Sequence, residues 1–339
     1  MKQHLNTLFI TREGVYLRKD GAAVEVRLEG QTLLRVPLHN LDGIVCLGYD
    51  IGASAQLMAA CAEAGVTLSF CSPHGRFLAA VRGFTPGNVL LRRAQYRLSD
   101  DPAASASLAA NFLVGKLTNG KNLLLRSARD HGSHPAVDEA IQVLRRNART
   151  LLRTNELESL RGLEGDAASS YFAAFPRLLT VPGFEFSGRF RRPPTDPVNA
   201  LLSFAYSLLA HDCRSALESV GLDAAVGFLH RDRPGRPSLA LDLMEEFRPI
   251  FADRCVLTLI NRRQIQPGDF VHRETGAVEL KEEARKRFLV TWQERKQEEI
   301  THPFLQEKMS FGLVPFIQAR LLARAIRGDL DAYPPFIWR

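Results

Sequence analysis

No stretch of this sequence is long and apolar enough to cross a bilayer, and the opening Met1-Lys-Gln-His-Leu-Asn-Thr7 lacks the hydrophobic region of a secretory signal. Both absences predict a cytoplasmic protein without a membrane partner. The five cysteines, at 46, 61, 71, 213 and 255, contain no Cys-x-x-Cys pair, so the usual zinc pattern is missing, and their odd number fits reduced thiols. There is no glycine-rich phosphate loop, which leaves ATP-driven chemistry without support. Internal repeats and low-complexity segments are absent as well.

What the chain does have is 339 residues, 45% of them hydrophobic, enough to bury a sizeable core in two domains or one large one. Its net charge is +7, and residues 1–86 hold eight Lys and Arg against seven Asp and Glu, so +6 belongs to the remainder. A basic surface there would favour nucleic acid through phosphate neutralisation and counterion release.

The pattern changes near residue 86. Before it, short runs rich in Val, Leu, Ile and Tyr predict strands over 6–11, 14–18, 23–28, 31–37, 43–46, 67–71 and 77–82, with one helix over 53–64. Lys19-Asp-Gly21 and Leu28-Glu-Gly30 fit tight turns. Thr85-Pro-Gly87 reads as a linker, and helical patterns follow over 89–98, 105–129, 136–154, 160–172, from Pro197 through Leu209, from Ser238, over 281–299 and over 316–326. The expected fold is α+β: a small N-terminal, mostly β domain over 1–86, then an all-α domain over 87–339.

Three stations in the second region carry metal-ligand chemistry. Glu164 shares an i, i+4 row with Leu160 and Ala168, so its carboxylate lies along an apolar stripe, and Gly162, Gly165, Ala167 and Ala168 leave room for close approach. The plain alternative is a surface ion pair with Arg161. His230 follows Gly227-Phe-Leu and precedes the basic loop Arg231-Asp-Arg-Pro-Gly-Arg236; taken alone, a histidine so placed is more often a hydrogen-bonded structural residue than a ligand. Asp242, Glu245 and Glu246 fall at i, i+3 and i+4 on one side of a helix whose apolar face is Leu239, Leu243, Phe247 and Ile250. Spacing does not choose among the three, and a solvated acidic turn is the alternative. Few carboxylates plus an imidazole suit Mg²⁺ or Mn²⁺, the ions of phosphodiester chemistry.

The strings Gly162-Leu-Glu-Gly-Asp-Ala-Ala168, Arg192-Pro-Pro-Thr-Asp-Pro-Val-Asn-Ala-Leu-Leu-Ser203, Gly221-Leu-Asp223 to Gly227-Phe-Leu-His230, and Asp242-Leu-Met-Glu-Glu-Phe-Arg-Pro249 resemble the CRISPR-associated endonuclease that acts as integrase in spacer acquisition, in particular its type I-C members. Gln318 to Gly328 and Tyr333-Pro-Pro-Phe336 extend the likeness. The resemblance implies Glu164, His230 and Glu245 as catalytic metal ligands, with Asp242 behind them or aiding a second metal, and Ala224 departs from the proline common in relatives. It also implies Mg²⁺ or Mn²⁺, attack of a DNA 3′-hydroxyl on a phosphodiester at a repeat boundary, and insertion of short double-stranded fragments into CRISPR repeat DNA. The implied assembly is a homodimer, with dimer contacts from the β domain, bound to a small ferredoxin-like adaptation protein. Arg189, Arg191 and Arg192, interleaved with Phe184, Phe186 and Phe190, and Arg231, Arg233 and Arg236 are candidate phosphate contacts; the phenylalanines themselves read rather as core anchors. The mixed-sign segment Lys281 to Phe288 reads as a solvated helix face. A metal-dependent nuclease of branched DNA in repair and a non-catalytic DNA-binding scaffold are the alternatives.

Overall fold

Alternating apolar residues fold the first segment into two four-stranded sheets. The computed structural model describes residues 7–338 except 74, 82 and 84–88, so the linker expected at 85–87 lies outside the described residues. Strands β1 (Thr7–Ile10), β2 (Tyr16–Asp20), β3 (Ala23–Leu28), β4 (Gln31–Pro37), β5 (Gly43–Leu47) and β6 (Gly52–Ala53) precede helix α1 (Ala55–Ala64), and β7 (Thr67–Cys71) and β8 (Phe77–Val81) follow it. One sheet has the order β1-β5-β7-β8, with β8 antiparallel to β7; the other has the order β4-β3-β2-β6. The β3–β4 turn needs positive φ at Glu29 (48°) and Gly30 (83°), which explains a glycine there. Helix α1 starts where Ser54 accepts from Leu57 N at 3.2 Å, and it buries Leu57 and Cys61 with Leu17, Val24, Ile44, Cys46 and Leu68.

The second segment is mostly helical: α2 (Val89–Asp100), α3 (Pro102–His131), α4 (Pro135–Leu151), α5 (Leu157–Ala174), α6 (Pro197–Ser219), α7 (Ser238–Met244) and α8 (Arg254–Asn261). Helices α3 and α6 begin alike, with Asp101 and Asp196 as N-caps and proline at the first helical position. A wide π-helical turn, Arg248–Asp253, joins α7 to α8. The region is not all-α: the strand pairs β9 (Phe270–His272) with β10 (Val278–Leu280), and β11 (Glu299–Thr301) with β12 (Lys308–Ser310), form two small hairpins. Their three-residue strands are too short to show a period of two.

Helix α9 (Glu282–Gln297) lies between those hairpins in sequence, and α10 (Val314–Arg327) comes last. The chain divides into two compact units, Met1–Pro86 with Glu282–Gln297, and Gly87–Lys281 with Glu298–Arg339. The first unit thus takes in helix α9 besides the segment that ends at Pro86. Gln293 Nε2 donates to Thr7 O and Arg285 Nη1 to Pro73 O, each at 2.8 Å, so α9 is bonded into the β-rich unit.

All five cysteines are buried, and none forms a disulfide. Burial pushes the thiols of Cys46 to about 12 and of Cys61 and Cys71 to about 11, and it also raises Cys213 well above the ordinary thiol value. Among the described residues no helix is long and apolar enough to cross a membrane.

Candidate metal and DNA site

Asp242 organises the turn that carries His230. Its carboxylate has no exposed surface and accepts from the backbone N–H of Phe228 (2.6 Å), Leu229 (3.0 Å) and His230 (3.0 Å). Only glycine fits at 227, because a Cβ there would sit 2.8 Å from Asp242 Oδ2 and 2.9 Å from the backbone of Ser238. The same carboxylate lies 2.6 Å from His230 Nδ1. An ionised carboxylate can only accept, so the ring proton is on Nδ1 and Nε2 keeps its lone pair. That Nε2 lies 3.9 Å from Glu245 Oε1. Arg161 of α5 ties the turn to Glu164's helix by donating twice to Leu229 O, at 3.0 and 2.6 Å.

Glu245 is 3% exposed. Burial alone pushes its carboxyl up, but the charges of Arg248 and Lys116 hold it down at about 2, so it is ionised. Arg248 Nη2 lies 3.0 Å from its Oε1 and Lys116 Nζ 2.8 Å from its Oε2. The Oε2 atom is buried without a well-aligned hydrogen bond despite that ion pair. Lys116 Nζ also donates to Glu164 Oε1. Glu164 therefore pairs with Lys116 and not with Arg161, which instead reaches Glu158 at 2.5 Å. Beside Gly162 and Gly165 an added Cβ would meet nothing within 4 Å, so this face of α5 is open.

Lys116 thus bridges Glu164 and Glu245, while His230 Nε2 lies toward the other oxygen of Glu245. Among the described residues no three His, Cys, Asp or Glu side chains are gathered closely enough to hold a metal as they stand. The donor set nevertheless suits a hard divalent cation: two carboxylates, one with a poorly satisfied buried oxygen, an imidazole nitrogen with a free lone pair, and a cation already between the carboxylates.

Glu246 does not share this side of the helix. Helix α7 ends at Met244, and Glu246 turns away to accept from Tyr333 OH (2.6 Å), Phe336 N (2.8 Å) and Gln318 Nε2 (3.3 Å). Burial pushes its carboxyl up to about 8. The alternative of a solvated acidic turn fails, since Asp242 and Glu246 are fully buried and Glu245 nearly so.

One wall of the site is a cavity whose lining includes Lys116, Glu164, Tyr171, Tyr206, Arg248 and Asp253, with Arg191 beside them. Burial pushes Asp253 up to about 6 against hydrogen bonds from Tyr206 OH (2.6 Å) and Tyr171 OH (2.8 Å). Arg189 is not an exposed phosphate contact: it donates to Asn199 Oδ1 (2.7 Å) and Ser203 Oγ (3.1 Å) and lies over the Tyr206 ring. Phe184 and Phe186 are buried anchors, whereas Phe190 is 47% exposed. Arg191, Arg192 and Arg233 are exposed; Arg236 is half-buried near Arg233, Arg161 and Arg192, and Arg231 is paired with Glu158 at 2.5 Å. Lys116, Arg248, Tyr171, Tyr206 and Asp253 escaped the sequence reading. Arg248 had a signal in its i, i+3 spacing from Glu245, and Lys116 only in being a charge within Leu113-Val-Gly-Lys-Leu117.

Residues 8–294 match the family described as CRISPR associated protein Cas1. The chain is 52% identical over 344 residues to a CRISPR-associated endonuclease Cas1 of Chlorobaculum tepidum, covering all of both chains. Its fold matches a casposase bound to integration product at TM-score 0.86 and 23% identity, covering 99% of this chain and 95% of that one. It also matches a chain of a Cas6-RT-Cas1–Cas2 complex at TM-score 0.82 and 23% identity, covering 99% of this chain and 36% of that one. With the family match spanning most of its length and a relative of equal extent sharing half its residues, the chain belongs to the Cas1 family of CRISPR-associated proteins.

Proposed function

We propose that the chain is a divalent-metal-dependent DNA endonuclease and integrase that inserts short double-stranded fragments as new spacers into CRISPR repeat DNA. The observation that carries this reading is that Glu164 and Glu245, from separate segments, share the ammonium of Lys116, with His230 Nε2 3.9 Å from the other oxygen of Glu245. Glu164, His230 Nε2 and Glu245 would hold Mg²⁺ or Mn²⁺, which when bound would polarise the phosphoryl oxygens and stabilise the attacking or leaving oxygen. Asp242 keeps the His230 proton on Nδ1, away from the ligand position. Arg248 and Arg191 supply positive charge at the cavity, and Arg192, Arg233 and Arg236 offer phosphate contacts beside it.

In strand transfer the fragment's 3′-oxygen forms a new P–O bond while the bond to the repeat strand's 3′-oxygen breaks and that oxygen takes up a proton. The number of phosphodiesters is conserved, so no ATP is needed. The printed names of the relatives, an endonuclease, a casposase with its integration product and a complex containing Cas2, support the same substrate and the same kind of assembly. We assign the chain a homodimer contacting a small ferredoxin-like adaptation protein, with the β-rich unit supplying dimer contacts, and a cytoplasmic location.

The test joins a labelled fragment to a supercoiled repeat plasmid with Mn²⁺ or Mg²⁺, beside a DNA-binding titration and a folding check. Glu164→Ala, His230→Ala and Glu245→Ala each abolish joining and cutting and leave DNA affinity within about threefold, because the metal acts on the reacting phosphate while the basic surface supplies most affinity. Full strand transfer by folded Glu164→Ala would refute the metal mechanism.

A further inference from the structure

Two carboxylates facing each other in a part-buried site repel, and this chain answers with a cation of its own. Lys116 Nζ donates to Glu164 and lies 2.8 Å from Glu245. Its side chain is 15% exposed, and those of Glu164 and Glu245 are 28% and 4% exposed, so the three charges are largely withdrawn from water. The placement is built in. Gly115 lets α3 approach the acidic segment, since a Cβ there would lie 2.9 Å from Glu246 Cβ, and Lys116 follows it directly. With Arg248 beside Glu245, two negative side chains meet two positive ones.

A divalent ion at the same carboxylates would leave that group with a surplus of two positive charges. Lys116 would then be repelled from its present place, while an incoming phosphate, which gains negative charge during transfer, would attract it. Lysine suits this exchange, being a compact charge on a flexible stem, whereas Arg248 is fixed over the Tyr206 ring at 4.9 Å.

Resting on the metal-dependent reading above, we propose that Lys116 is a placeholder for the catalytic divalent cation. Its ammonium holds Glu164 and Glu245 together before metal enters, yields its place to the ion, and then faces the substrate phosphate.

The experiment measures Mn²⁺ binding by calorimetry, melting in EDTA and in Mn²⁺, and strand transfer at saturating Mn²⁺, for the parent, Glu164→Ala, Lys116→Met and Lys116→Gln. Removing the competing cation should tighten Mn²⁺ binding about tenfold. The Lys116 variants should melt below the parent in EDTA and gain more from Mn²⁺, yet transfer strands at least about tenfold more slowly with the metal site full. Unchanged or weaker Mn²⁺ binding in both Lys116 variants overturns the proposal, as does undiminished strand transfer. Failure of both to fold even with Mn²⁺ would make Lys116 a structural cation and also overturn it. If the parent and Glu164→Ala bind Mn²⁺ alike, the fault lies with the metal reading itself.

Discussion

Glu245 and Glu246 are adjacent and both buried, yet at neutral pH Glu245 is ionised beside Lys116 and Arg248, whereas Glu246, which meets only neutral donors, is pushed up to about 8 and keeps its proton. Asp242 is more demanding, since three backbone N–H groups and a ring N–H depend on it. Asp242→Asn presents an NH₂ to those donors and frees the ring, so Mn²⁺ affinity should fall roughly 10–100-fold with DNA affinity unchanged, measured by parallel titrations. Asp253 gives a pH prediction. Its folded pKa of about 6 exceeds the ordinary 3.8, so the folded state holds a proton that the unfolded chain releases, and stability falls as pH rises from about 4 to 6. The loss is on the order of 2–3 kcal/mol. Asp253→Asn should flatten that part of the melting curve against pH; an unchanged slope would show Asp253 ionised throughout. At this scale the acidic and imidazole stations were legible because charge on an apolar stripe is unusual. Lys116 was not, since a lone lysine on a long helix reads as exposed and its partner Glu164 is 48 positions away.

The C-terminal segment from Tyr333 to Trp338 straps the site's supporting helices. Phe336 N and Tyr333 OH hold Glu246, and Asn119 of α3 donates to Phe336 O (2.8 Å) and accepts from Trp338 N (2.9 Å). Tyr333→Phe removes the hydroxyl that donates to the buried Glu246 carboxyl and accepts from Gln318 Nε2, and should cost about 1–3 kcal/mol in urea unfolding, with strand transfer per folded molecule retained. A drop in specific transfer without loss of stability would instead place Tyr333 in the chemistry. Most strands and helices were readable from their period, and α6 also from the proline at its first position, whereas the caps Ser54 and Asp101 emerge only in the structure. Two features were not readable: a pair of hairpins, and the unit to which the expected helix α9 belongs. The hairpins β9–β10 and β11–β12 are too short for a pattern, and α9 joins the β-rich unit through residues at Thr7 and Pro73, a tertiary choice that local sequence does not encode.

Across the whole molecule, the uneven charge predicts DNA binding that weakens steeply with salt. Arg233→Ala with Arg236→Ala should lower the slope of log affinity against log salt by about one unit per lost phosphate contact. Lys286 already pairs with Glu282 and Glu283, at 3.1 and 2.9 Å, so Lys286→Ala should leave the slope unchanged. Equal slopes in both variants would remove the basic loop from the DNA path. The buried thiols have a different consequence: they act as two clocks. Cys46, Cys61 and Cys71 belong to the β-rich unit and Cys213 and Cys255 to the helical one, and none is exposed to solvent. A thiol reagent can modify each only when its surroundings open, so mass spectrometry of peptides labelled over time times the opening of either unit without an added probe. Fragment DNA that engages the helical unit should slow labelling at 213 and 255 while the three sites of the other unit keep their pace.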